Sequence, residues 1–174
     1  MKSKLTVMSV LAVLAALALG VSSAQAADVT VGLGACAFQQ GGQTTVPAGS
    51  TITVRLRVFE FNPGMVRDLV QAQQTTFSLN GGAPIDLSND YSPPMSFGAG
   101  TSWFAQILYP TGVTLATAGD SLTVTFTVTV SRNFVEEFNG PLSFSDDGTP
   151  NPTHPVFNAA GDLYETGTCT ITAV

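Results

Sequence analysis

Ser121 is the residue whose neighbours most resemble a reactive setting. It follows Gly119 and Asp120 and precedes Leu122. A serine on a tight glycine turn can act as an acyl-transfer nucleophile when a histidine takes its proton and an acid orients that histidine. The chain holds one histidine, His154, and the residue three positions before it is Asn151 rather than an acid. Other constellations are thinner. Asp146-Asp147-Gly148 with Asn151 could begin a calcium loop, but Pro150 and Pro152 break the alternation of ligands such a loop needs, so a solvated acidic turn is expected. Zinc would want several Cys or His ligands, and His154 has no second histidine beside it. Glu136 and Glu137 are adjacent, so a strand sends them to opposite faces, whereas glycosidase carboxylates converge across about 5 to 10 Å. No catalytic residue, metal or cofactor is therefore expected.

Aromatic side chains are the remaining source of recognition chemistry. Trp103, Ala105, Ile107 and Tyr109 fall on one face of a strand, and Phe104, Gln106 and Leu108 on the other. Either that strand is covered on both sides or one row is a contact surface. The reading favoured for Trp103 is a core position, since a sandwich often buries its tryptophan. Tyr91, in Asn89-Asp90-Tyr91-Ser92-Pro93-Pro94, is expected in an exposed loop. Tyr91, Trp103 and Tyr109 are the candidate ligand-contacting aromatics.

The elements that would position these groups show a period of two. From Ser121 to Val130, Leu122, Val124, Phe126, Val128 and Val130 alternate with threonines, the pattern of a strand with one buried face. Thr51 to Phe61 repeats it, with Ile52, Val54, Leu56 and Val58 inward and Thr53, Arg55 and Arg57 outward. Phe77-Ser78-Leu79 and Ile85-Asp86-Leu87 flank Asn80-Gly81-Gly82-Ala83-Pro84, a hairpin signal. Further strands are expected near Val29 to Gly34, Ser102 to Tyr109, Leu142 to Ser145 and Thr168 to Thr172. One short connecting helix of about two turns should start at Asn62-Pro63-Gly64, with Met65, Val66, Leu69 and Val70 on one face.

This pattern decides against the nucleophile. Gly-Asp-Ser-Leu spells a signature of serine esterases and lipases, in which a helix follows the serine. Here seven strand-forming residues, Thr123 to Thr129, follow it. Moreover, Ala48-Gly49-Ser50-Thr51-Ile52-Thr53-Val54 matches Ala118-Gly119-Asp120-Ser121-Leu122-Thr123-Val124 position by position, with Thr51 where Ser121 stands. Both stretches read as a turn feeding a half-buried strand. The repeated stretch resembles strand openings in small secreted bacterial immunoglobulin-like β-sandwich proteins, over most of the chain after residue 26. The resemblance implies a fold and brings no functional residues with it.

Residues 1–26 have the parts of a secretory signal peptide: Lys2 and Lys4, an apolar run from Leu5 to Leu19, and the small-residue site Ala24-Gln25-Ala26. That run is too short for a typical membrane span of roughly 20 residues. The remaining segment, 27–174, is read as a single domain. It keeps four arginines, no lysine and all twelve acidic residues, a net charge of −8. Such a balance argues against nucleic acid and against anionic membrane surfaces. Cys36 and Cys169, an even pair in an exported chain, are expected to form a disulfide; Leu33-Gly34-Ala35-Cys36 also spells a lipoprotein box, but stands too far from the apolar run.

The expected protein is all-β: an antiparallel immunoglobulin-like β-sandwich of about seven to nine strands with one short connecting helix. It is expected to be secreted, or associated with the cell surface, and to act without catalysis on an extracellular or cell-envelope partner in a structural or adhesive role. Alternatives are a carbohydrate-binding module using exposed aromatics and, more remotely, an esterase using Ser121.

Overall fold

The structure, a computed structural model, describes residues 27–98, 100, 102–131, 156–157, 160 and 162–174. The signal segment, Glu136 and Glu137, the expected strand at 142–145, the Asp146 turn and His154 lie outside the described residues.

Two sheets enclose one core. The first has the order β1-β3-β7-β6, made from β1 (Asp28–Gly32), β3 (Ser50–Glu60), β6 (Met95–Phe97) and β7 (Ser102–Leu115). The second has the order β2-β10-β8-β4-β5, from β2 (Gln43–Val46), β4 (Gln73–Leu79), β5 (Ile85–Asp86), β8 (Ser121–Val130) and β10 (Leu163–Ala173), with β9 (Val156–Phe157) also paired to β10. This is an all-β, sandwich-like architecture of ten strands among the described residues, one more than the upper expectation. The strands without a sequence signal are the short pieces β2, β6 and β9, which carry too few residues to show a period.

Alternation places the core as expected. Ile52, Val54, Leu56 and Val58 of β3 meet Leu122, Val124, Phe126, Val128 and Val130 of β8 in a single buried cluster. Pairing is not wholly antiparallel. β1 runs parallel to β3 and β2 parallel to β10. The N-terminal segment crosses from one sheet edge to the other, and each piece adds beside a long strand running its own way. The crossing is a five-residue π-helical turn, Ala35–Gln39, which the sequence did not signal. It carries Cys36 into the core, where Cys36 is bonded to Cys169 of β10, their Cα atoms 5.6 Å apart. Phe38 of the same turn meets Phe126 edge-on at 5.8 Å.

Helix α1 (Pro63–Ala72) is the expected connector, nearer three turns than two. Asn62 caps it, its Oδ1 accepting the Met65 amide at 2.9 Å, and Pro63 occupies the first turn, where a missing N–H costs nothing. Val66 and Leu69 are buried, and Met65 and Val70 half-buried on their flanks. The helix carries the chain from the end of β3 to the start of β4, closing one end of the sandwich.

Candidate functional site

Strand β3 obeys its alternation to its last residues. Arg55 and Arg57 face outward, and Phe59 continues that row. On the neighbouring β7, Phe104 pairs with Phe59, Gln106 with Arg57 and Leu108 with Arg55. On β6, Met95 pairs with Phe104 and Phe97 with Ser102. One row of each strand thus assembles an aromatic cluster on the solvent side of the four-stranded sheet. Phe59 and Phe104 are only 7% and 8% exposed; their rings lie 5.6 Å apart, and Phe97 stands edge-on to both. Phe97 itself is 42% exposed, Leu108 52%, and Phe61, just past the strand, 63%.

Arg57 completes the cluster. Its guanidinium carbon stands 4.7 Å from the Phe104 ring centre, and its Nε donates to Gln106 Oε1 at 3.0 Å. The cation is thereby held over the Phe104 ring, an arrangement worth about 0.5–1 kcal/mol at an exposed site.

The aromatics singled out in sequence are less displayed than this patch. Trp103 and Tyr109 are half-buried and pack on the core, Tyr109 edge-on to Phe77 at 6.1 Å. Tyr91, expected to be exposed, is instead inserted at the sandwich margin. Its hydroxyl lies 3.2 Å from Thr75 Oγ1, and burial pushes its phenol well above the usual range. The cause is local: Leu87 N–H donates to Thr75 on one sheet and Ser92 N–H to Gln106 on the other, so the loop carrying Tyr91 bridges the two sheets and turns the ring inward. The ring also lines a groove of about 310 Å³ between α1 and Pro93-Pro94.

Ser121 is the exposed first residue of β8, paired with Thr172. The turn before it is built as expected. Gly119 has φ of 94°, Asp120 Oδ2 accepts the Thr117 amide at 2.8 Å, and that hydrogen bonding holds the Asp120 carboxyl below its ordinary range. Its counterpart before β3 has Gly49 at φ 85° and Ser50 Oγ donating to the Pro47 carbonyl at 2.6 Å.

Two buried carboxyls, on β3 and β10, escaped the sequence reading. Glu60 and Glu165 are 4% and 1% exposed, and no side chain is hydrogen-bonded to either Glu60 oxygen or to Glu165 Oε1. Both were legible in principle, since Glu60 continues the inward row of Ile52 to Val58 and Glu165 shares the inward row of Leu163 and Cys169. Desolvation by burial raises their carboxyls to about 7 and about 8 respectively, at Glu60 against a smaller lowering from the Phe61 backbone amide. Among the described residues no group of three or more His, Cys, Asp or Glu side chains is gathered as a metal would require.

No protein-family model, no curated protein and no solved structure matches this chain.

Proposed function

We propose that this chain is a secreted, non-enzymatic, immunoglobulin-like sandwich that docks an acidic protein surface, in the bacterial cell envelope or medium, on the outer face of its four-stranded sheet. The observation that carries the reading is the cluster of Phe59, Phe97 and Phe104 roofed by Arg57. Contiguous apolar surface rimmed by polar groups is what protein interfaces display, with aromatics and arginine over-represented at their centres. Charge supports an acidic partner. After residue 26 the chain has only four cations, and Arg55 and Arg57 both lie on this face. The acid that shares it, Asp28, sits opposite Thr51 at the far end.

A saccharide platform fits less well. Sugars stack on flat, open rings, whereas Phe97 stands at 82° to Phe59 and 87° to Phe104, so the rings spend their faces on each other. The Cys36–Cys169 disulfide and the lack of a membrane-spanning helix among the described residues accord with export.

The test is cross-linking capture from the producing cell's envelope and medium with three proteins: wild type, Phe97→Ser with Phe61→Ser, and Thr125→Lys on the opposite sheet. A partner captured by wild type and Thr125→Lys, lost in the phenylalanine variant and weakened by salt, supports the reading. Capture indifferent to the phenylalanines would overturn it. Binding to a glycan array, lost with those same phenylalanines, would replace it with the saccharide reading, and Ser121-dependent phosphonate labelling with the esterase reading.

A further inference from the structure

Glu60 and Glu165 belong to the same end of the sandwich. β3 ends at Glu60, α1 crosses to the start of β4 at Gln73, and Gln73 pairs with Val130 at the end of β8, which pairs with Leu163 at the start of β10. One step inward, Thr75, Val128 and Glu165 form the next row across the sheet. In the facing sheet, Glu60 pairs with Trp103. The interior at this end therefore holds two carboxyl groups and the buried amide of Gln73 among apolar side chains.

Nothing described there can neutralise a carboxylate. The inward groups are Trp103 and Ala105 from β7, Val128 and Val130 from β8, Gln73 and Thr75 from β4, and Leu163 and Gly167 from β10. From α1 they are Val66 and Leu69, with Arg67 and Asp68 exposed. Arg55 and Arg57 are on the other side of their sheet. Among the described residues the inward titratable neighbour is the Tyr91 phenol, which burial keeps neutral, while Asp162 and Tyr164 at the start of β10 lie off the inward row of Leu163 and Glu165. An unpaired buried carboxylate is costly enough that the group takes up a proton instead.

We propose that Glu60 and Glu165 form a proton-held latch: the α1 end of the sandwich closes when both carboxyls are neutral, and loosens as they lose their protons. Glu60 lies between Phe59 and Phe61, so loosening would act on the part of β3 that supplies the aromatic face. This device does not depend on what that face binds.

The sign follows from proton counting. In the unfolded chain both glutamates titrate near 4.5, whereas in the folded chain they hold protons until about 7 and about 8. Between those limits the folded state binds more protons, so stability is full below pH 4.5, falls as pH rises toward 8 and then levels off. Asp86 and Asp120, lowered by hydrogen bonds, act oppositely and only in acid, outside this window.

Trp103, the single tryptophan, is the built-in reporter because it is the cross-strand neighbour of Glu60. Its emission and the melting temperature of the oxidised protein would be followed from pH 4.5 to 9. The expected result is a reversible red shift with a midpoint between pH 7 and 8 and a melting temperature that falls from about pH 4.5 toward pH 8 and then levels off. Glu60→Gln with Glu165→Gln, which fixes the neutral form, should flatten both curves and leave the protein more stable than wild type at pH 8.5. His154→Gln should change neither curve. A wild-type protein with no transition between pH 5 and 9 overturns the latch, whether or not the variants fold. So does a folded double variant that keeps the wild-type slope, or loss of the transition in His154→Gln.

Discussion

The two solvent faces of the sandwich are built by one rule and finished differently. On the six-stranded sheet the outward residues of β8 and β10 are almost all threonine, and their hydroxyls pair across the strands: Thr123 with Thr170 at 3.3 Å, Thr125 with Thr168 at 3.1 Å, Thr127 with Thr166 at 3.4 Å. On the four-stranded sheet the same alternation presents Arg55, Arg57, Phe59, Phe104 and Leu108. Threonine satisfies β-propensity with a branched side chain while offering water a hydroxyl, so that face is complete when hydrated. Phenylalanine satisfies the same propensity and leaves water unfavourably against its rings. Strand propensity alone therefore does not account for the aromatic face, for which docking is the role proposed above.

The largest test of this comparison removes what both faces share. The bridge spans 133 residues of chain and ties β10, the strand of the threonine face, to the π-turn. In the loop-entropy account such a closure contributes about 5 kcal/mol, an upper value where the reduced chain keeps structure. Reduction should therefore lower the melting temperature by roughly 10 °C or more. Melting followed with and without reductant checks it, and an unchanged temperature would show that the bridge does not constrain the unfolded chain.

Next come single side chains. Phe104→Ala should cost about 2 kcal/mol, well above an ordinary surface substitution, because the ring is nearly buried by Phe59, Phe97 and Arg57. Thr125→Ala on the opposite face should stay within about 0.5 kcal/mol. Denaturant melts of the two variants measure the contrast, and equal costs would mean that the aromatic face is held no more tightly than the threonine one. Gly167→Ala should cost about 1–3 kcal/mol by overpacking, since an added Cβ would stand 2.6 Å from the Phe126 ring and 2.9 Å from Ala37. A neutral result there would show that the π-turn yields.

Long alternating strands were legible because their buried partners are long as well. The Ile52 and Leu122 rows, the Asn80-Gly81 hairpin and the cap at Asn62 all stand where local chemistry places them. The sequence reading ended β7 at Tyr109, short of Pro110-Thr111-Gly112. That stretch is a bulge: Thr111 Oγ1 donates to the Ile52 carbonyl at 2.8 Å, Gly112 takes φ of 71°, and the strand resumes to Leu115. The aromatic cluster was only half legible. Phe59 and Phe104 could be assigned a parity, but the pairing that stacks them is a long-range fact, and Phe97 lies on a three-residue strand with no period to read. Tyr91 was misplaced for the same reason, since a loop bonded to both sheets is invisible in its own residues.

The smallest expected effect is at Ser121, and it sharpens the comparison from the side of the threonine face. Ser121 opens β8 in the outward row that continues through Thr123, Thr125 and Thr127, and it is solvent-exposed where its cross-strand partner is Thr172. Its role should be that of its row, a small polar strand residue, with the turn held instead by Asp120 and Gly119. Ser121→Ala should therefore cost under about 1 kcal/mol, while Asp120→Ala, which removes the acceptor of the Thr117 amide, should cost more. Purified wild type should hydrolyse short-chain nitrophenyl esters no faster than buffer. Turnover that disappears in Ser121→Ala would make one end of the threonine face a reactive site and leave the contrast between the two faces without its functional meaning. A serine that is silent in both assays, beside an aspartate that is not, would put the conservation of shape between the Ala48 and Ala118 stretches down to the turn they share.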